Sequence, residues 1–254
     1  MKYNFLVALI GVLVLTSCST RKEIVYFQGY EKLENMKSQM KFEPVFEVND
    51  ILHIKVSSLN EDVVAPFQMS TGGQRQGGGM QQNPALMGYM VGIDGDFQFP
   101  VLGKVPAAGL SRSELEAYLT EEIKTYVTDP VVAVRILNFR VVVLGESGSQ
   151  SVVQVENERI SVPELMATVG GISYDGLRDN IVVIREVDGV KSIGVVDMTT
   201  ADVFSNPFYY LKQNDIVYVE PTLRKVKSAG WVTSPMGLVS IGTTIFSLII
   251  LFTK

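Results

Sequence analysis

Phe42-Glu43-Pro44-Val45-Phe46-Glu47-Val48-Asn49-Asp50-Ile51-Leu52-His53-Ile54-Lys55-Val56 is the stretch that decides the class of this fold. From Ile51 onward the residues alternate, with Leu52, Ile54 and Val56 on one side and Ile51, His53 and Lys55 on the other. That two-residue period predicts a half-buried strand, entered through the polar pair Asn49-Asp50. The arrangement returns in Tyr210-Leu-Lys-Gln-Asn-Asp-Ile-Val-Tyr-Val-Glu-Pro221, where Asn214-Asp215-Ile216 leads into a closing strand. Ordinary turn chemistry also produces such an echo, so it does not by itself demonstrate a duplication.

Between the two stretches the pattern changes several times. Residues 70–84 are rich in Gly and Gln and predict a flexible loop; no Lys-Ser/Thr follows the glycines, so a phosphate-cradling loop does not fit. Asp94-Gly95 separates Tyr89–Ile93 from Asp96–Leu102 and predicts a hairpin. Ser111 and Glu114 form a capping box ahead of Leu115, Tyr118, Leu119 and Ile123 at helical spacing. Val131–Val143 is β-rich. A second unit starts with a short strand at Val152–Val155 and a helix capped by Ser161 and Glu164, with Pro163 in its first turn and Gly170-Gly171 after it. A hairpin follows, Ile181–Val187 and Val190–Val196. The expected class is α+β, built from small units.

Composition adds a greasy piece at each end. The 254 residues are 46% hydrophobic and 19% charged, with a mean hydropathy of +0.21. Residues 1–17 hold 12 apolar residues, and residues 228–253 hold no charge. The body between carries all 27 acidic and 20 of the 22 basic residues, a net −7. This excludes a disordered chain, a polytopic membrane protein and a basic nucleic-acid binder.

Lys2, the apolar run Phe5 to Leu15 and Leu15-Thr16-Ser17-Cys18 read as a secretory signal over 1–17. Cys18 is the only cysteine and stands at the expected cut. Leu-Thr-Ser-Cys resembles the bacterial lipobox, in which the Cys becomes the first residue and carries lipid such as palmitate. Residues 18–41 are then a lipidated linker.

The carboxyl-terminal run, 228–253, begins near Trp231, an interfacial aromatic. Val232 to Phe252 would span about 31 Å as a helix, against about 30 Å of hydrocarbon. Gly230, Thr233, Gly237, Ser240, Thr244 and Ser247 recur at alternating steps of three and four. A stripe of small residues suits close helix packing or a water-facing side within an oligomer. A plain tail anchor with small residues by chance is the other reading.

Nothing in the sequence marks an active site. His53 shares its face with Lys55 and reads as solvated. No His/Cys cluster suits zinc, and Asp94, Asp96, Glu121 and Glu122 are explained by turn and helix-surface roles. No catalytic, cofactor-binding or metal-binding residue is expected.

Taken in order, several blocks resemble the outer-membrane polysaccharide export lipoproteins. They are Phe46–Val56; Tyr89–Leu110 with Gly95, Phe99-Pro100, Leu102-Gly103 and Ala108-Gly109-Leu110; and Asp129-Pro130-Val-Val-Ala-Val. Glu164-Leu-Met-Ala-Thr-Val-Gly-Gly and Leu211–Pro221 resemble the soluble-ligand-binding β-grasp domain that follows in that family. The resemblance implies an export domain over 42–140 with a flexible loop at 68–88, one β-grasp-like domain over 141–223, and the membrane helix 228–253. Gly145-Glu-Ser-Gly departs from the family in lacking the proline usual after the first β-grasp strand. The implied function is a homo-oligomeric ring, a porin-like channel through which capsular or exopolysaccharide reaches the cell surface. Its lipids would sit in the outer membrane, its body in the periplasm, and its partner would be an inner-membrane polysaccharide co-polymerase, often a tyrosine kinase. A monomeric, membrane-anchored glycan-binding lipoprotein and a glycan-modifying enzyme are the competing functions.

Overall fold

The computed structural model of the chain describes residues 21–34, 43–69, 87–187, 189–228, 239–240 and 242–244. The strand expected after Asn49-Asp50 forms as β1 (Ile51–Ser57). Leu52, Ile54 and Val56 are buried while His53 and Lys55 face solvent, as the alternation requires. A short helix, α1 (Glu61–Val64), follows it. β1 lies between β2 (Tyr89–Met90) and β5 (Val131–Ile136), antiparallel to both. β3 (Asp96–Phe99) and β4 (Gly103–Pro106) form a separate hairpin, and α2 (Arg112–Ile123) packs on β5. The Ser111–Glu114 capping box is present, and Leu115, Leu119 and Ile123 are fully buried.

The hairpin expected around Asp94-Gly95 forms only in part. The turn exists: the Gly95 N–H donates to the Gly92 carbonyl at 2.9 Å, with Gly95 at φ +81. Its flanks, however, separate. Tyr89 and Met90 pair with Leu52 and Ile51, and Asp96–Phe99 folds back on Gly103–Pro106. Apolar burial explains the choice, because Phe97 and Phe99 bury themselves against the Tyr89 ring at 5.8 and 5.2 Å. Turn residues set a bend, whereas the buried face selects the partner.

The second unit contains β6 (Arg140–Gly145), β7 (Ser151–Gln154), β8 (Ile160–Ser161), α3 (Val162–Thr168), β9 (Gly176–Val187), β10 (Val190–Val196), β11 (Tyr210–Leu211), β12 (Ile216–Pro221) and α4 (Leu223–Ser228). Its five-stranded sheet has the order β10-β9-β12-β6-β7, with β12 parallel to β6 and every other pair antiparallel. The second capping box, Ser161 with Glu164, opens α3 as expected. Val131–Val143 divides into β5 and β6 at 137–139, where one unit passes into the other. Tyr210–Pro221 divides into β11 and β12 around the turn at 212–215.

The sheet has two distinct ends. The starts of β6, β10 and β12 and the end of β9 meet the first unit. The opposite end carries Gly145, Gly176 and Pro221, and α4 leaves from it. Residues 21–34, expected as a linker, are packed there. Phe27 N–H donates to the Met198 carbonyl at 3.0 Å, Gln28 N–H to that of Thr199 at 2.7 Å, and the Phe27 ring lies 5.4 Å from Phe204.

Among the described residues no helix is long and apolar enough to cross a membrane. The span expected over 228–253 is therefore not seen, and most of its residues lie outside those described. The α+β class itself is observed.

Candidate functional site

The residues singled out in the sequence fall mainly outside the described part. Cys18, Gly230, Trp231, Thr233, Gly237 and Ser247 all lie there. Ser240 and Thr244 are described, and the Thr244 hydroxyl donates to the Ser240 carbonyl at 2.7 Å, a bond within one helical turn. His53 is exposed beside Lys55. Asp96 pairs with Lys104 at 3.2 Å, a surface role.

What the fold builds instead is a polar seam between the two units, centred on the two echoing turns. Their geometry coincides. Asn49 and Asn214 are both left-handed, at φ +73 and +61. Asp50 N–H donates to the Glu47 carbonyl and Asp215 N–H to that of Lys212, each at 3.2 Å. The Asp50 carboxylate accepts from Glu47 N–H, and that of Asp215 from Lys212 N–H, each at 2.8 Å. Each turn frees its strand to start from a satisfied backbone.

Two amides stitch the turns together. Asn138 accepts from Ile51 N–H at 2.9 Å and donates to the Asn49 carbonyl at 3.0 Å. Gln213 donates to the Asn138 carbonyl and accepts from Arg140 N–H, both at 2.8 Å. Beside them Glu158, at φ +54 and buried, bonds Arg112 of α2 and accepts from Ile136 N–H at 3.0 Å. A loop of the second unit thereby satisfies the open edge of β5, where Glu116 does the same for Val134 N–H at 2.8 Å. These partners lie 46 to 89 residues apart along the chain, except for Glu158 with Ile136 and Glu116 with Val134, which are closer. The recurrence of Asn-Asp before a strand was the one signal of the seam available in the sequence.

The two aspartates differ in their charge partner. Asp215 is met by Arg185 through bonds of 2.9 and 2.7 Å. Asp50 has Glu47 and Glu158 nearby; burial, and then these negative neighbours, push its carboxyl up to about 7. The folded state therefore holds this proton up to about pH 7, whereas the unfolded chain releases it near 4. Because the folded state binds more protons in that interval, stability falls as pH rises. Asp50→Asn, which keeps an acceptor for Glu47 N–H, should flatten the loss of about 2–3 kcal/mol expected between pH 5 and 8. Urea midpoints across that range, compared with the wild type, check it.

A cleft of about 630 Å³ opens along the seam, lined among others by Val45, Glu47 and Val48 from the first unit and Ile184, Lys212 and Ile216 from the second. Among the described residues no group of His, Cys, Asp and Glu could hold a metal ion.

Comparison with known proteins bears on the first unit. Residues 41–137 match the family described as polysaccharide biosynthesis/export protein. The EPS I polysaccharide export outer membrane protein EpsA of Ralstonia solanacearum is 31% identical over 127 residues, covering 49% of this chain and 34% of that protein. Its counterpart in Ralstonia nicotianae is 32% identical over 93 residues, covering 35% and 24%. The matched part thus spans about a third or less of these relatives. The match over 41–137 agrees with the resemblance to the polysaccharide export family read from Phe46–Val56 and Tyr89–Leu110.

Proposed function

We propose that this chain is a subunit of an outer-membrane conduit that exports capsular or exopolysaccharide, working as a ring-shaped homo-oligomer without catalysing a reaction. The observation that carries the reading is the export-domain match over 41–137, shared with proteins named for polysaccharide export at the outer membrane. Placement of the chain ends supports it. Residues 21–34 dock on the far end of the second unit, three residues beyond Cys18, and α4 leaves that same end ahead of the uncharged run. An acylated Cys18 and a membrane-inserted 228–253 would then hold that end toward the membrane and leave the export domain pointing into the periplasm. The parallel contact of β6 and β12, the first and last sheet strands, with α3 between them in the chain, supports the β-grasp-like reading of 141–223. The inner-membrane partner, a polysaccharide co-polymerase with or without a tyrosine-kinase domain, would meet the export-domain end.

Deleting the gene should abolish surface polysaccharide while its synthesis continues, and the full chain should restore it. A Cys18→Ser chain should neither incorporate labelled fatty acid nor restore normal export. Undiminished surface polysaccharide in the deletion strain would overturn the proposal.

A further inference from the structure

Five aromatic side chains form a row on the second unit. Ring centroids lie 5.9 Å apart from Tyr26 to Phe27 and 5.4 Å from Phe27 to Phe204. The row continues with 5.5 Å from Phe204 to Tyr209 and 4.9 Å from Tyr209 to Tyr210. An arginine closes each end. The Arg178 guanidinium lies 5.7 Å from the Tyr26 ring, and that of Arg159 lies 5.1 Å from the Tyr210 ring. Phe27 and Tyr209 pack against the core, which accounts for those two. Tyr26 and Phe204 are 36% and 37% exposed, so burial does not explain why they continue the row.

The row is held in place and has a direction. Arg178 is 8% exposed and donates to the Gly176 and Ile172 carbonyls at 3.2 and 3.3 Å, which fixes the cation against Tyr26. Phe204 sits in the 3-10 turn Ala201–Ser205, whose Ala201 N–H donates to the Gln28 carbonyl at 3.0 Å. Tyr210 stands two residues before the Lys212–Asp215 turn of the seam. Tyr26 rests at the far end, against a side chain two residues into β9. The rings thus lead from the seam toward the end from which α4 leaves.

We infer that this row is a glycan-binding track on which successive pyranose rings of the exported polymer rest, an inference that rests on the conduit reading above. The negative face of an aromatic ring attracts the polarised C–H groups on one side of a pyranose. Near-equal steps from ring to ring suit a ligand that itself repeats. The flanks supply both halves of a hydroxyl's hydrogen bonding: Arg159 is an exposed donor, and Asp202, exposed in the same turn as Phe204, is an acceptor. An acyl chain or an apolar protein face laid over the row would instead take the Asp202 carboxylate out of water. Contacts of this kind are individually weak, so a chain can leave one ring as it engages the next.

The test is affinity electrophoresis of the full chain in mild detergent, through gels containing surface polysaccharide purified from the strain that carries the gene. The wild type should be retarded. Tyr26→Ala combined with Phe204→Ala should weaken binding at least tenfold while the circular dichroism spectrum stays native. Tyr26→Phe combined with Phe204→Tyr keeps both ring faces and should bind as the wild type does. Tyr118→Ala, which removes a ring 38% exposed on α2, should change nothing. Asp202→Ala, at an exposed position, should weaken binding about threefold and decides the matter if the paired alanine variant does not fold. A wild type that is not retarded, or alanine variants retarded as strongly as the wild type, overturns the inference. The conduit reading stands or falls separately, on the surface polysaccharide of the deletion strain.

Discussion

Asp215→Ala is expected to lower the unfolding free energy by about 3–5 kcal/mol, measured as the urea midpoint of the purified chain followed by circular dichroism. Asp215 is fully buried and satisfies three donors: the Arg185 Nε and terminal nitrogen, and Lys212 N–H. Arg185 is 11% exposed, lies 4.9 Å over the Phe208 ring and otherwise bonds the Tyr210 carbonyl at 3.0 Å. Truncating the aspartate would leave that largely buried cation without its counter-charge and open the turn that starts β12. The effect comes from the unpaired charge, because a buried ion pair taken whole contributes little. Asp50→Asn in the twin turn is the contrast. Burial, and then negative rather than positive neighbours, make the Asp50 charge costly, so that change should stabilise the chain above pH 7 and the two substitutions move stability in opposite directions.

Gly145→Ala should cost a comparable amount, about 3–5 kcal/mol, or prevent folding. Gly145 ends β6 at φ +89 and sits opposite Val219 in the central parallel pair. A Cβ there would stand 2.1 Å from the Val219 carbonyl oxygen and 2.9 Å from the Tyr218 ring. Backbone cannot yield as a flexible side chain would, so the middle of the sheet would have to part. Gly103 isolates the conformational part of this cost, since it has φ +77 and an added methyl group would meet nothing within 4 Å. Gly103→Ala should cost only about 1–2 kcal/mol. Equal losses at the two positions, by thermal or urea denaturation, would count against the packing explanation.

Gly145 also shows what could be read from the sequence and what could not. Gly145-Glu-Ser-Gly stood out as lacking an expected proline, but the reason for glycine is an approach of Val219, 74 residues later. Local chemistry was legible: both capping boxes, the β9–β10 hairpin and the alternation of β1 depend on neighbours within a few residues. The Asp94-Gly95 turn was legible as a bend, while its strand partners were decided by Phe97 and Phe99 seeking the Tyr89 ring. The Asn49-Asp50 and Asn214-Asp215 echo was visible as turn chemistry. Its place at one seam depends on Asn138 and Gln213, whose bonds reach 73 to 89 residues along the chain. The strands β9 and β12 were legible, but the face each buries appears only once the register is known.

We propose that copies of this chain close into a ring that passes polysaccharide. The most direct test is electron microscopy of the full-length chain extracted from membranes in mild detergent. Closed rings of uniform subunit number with a central opening are expected. Particles of single-chain size under the same conditions would contradict it.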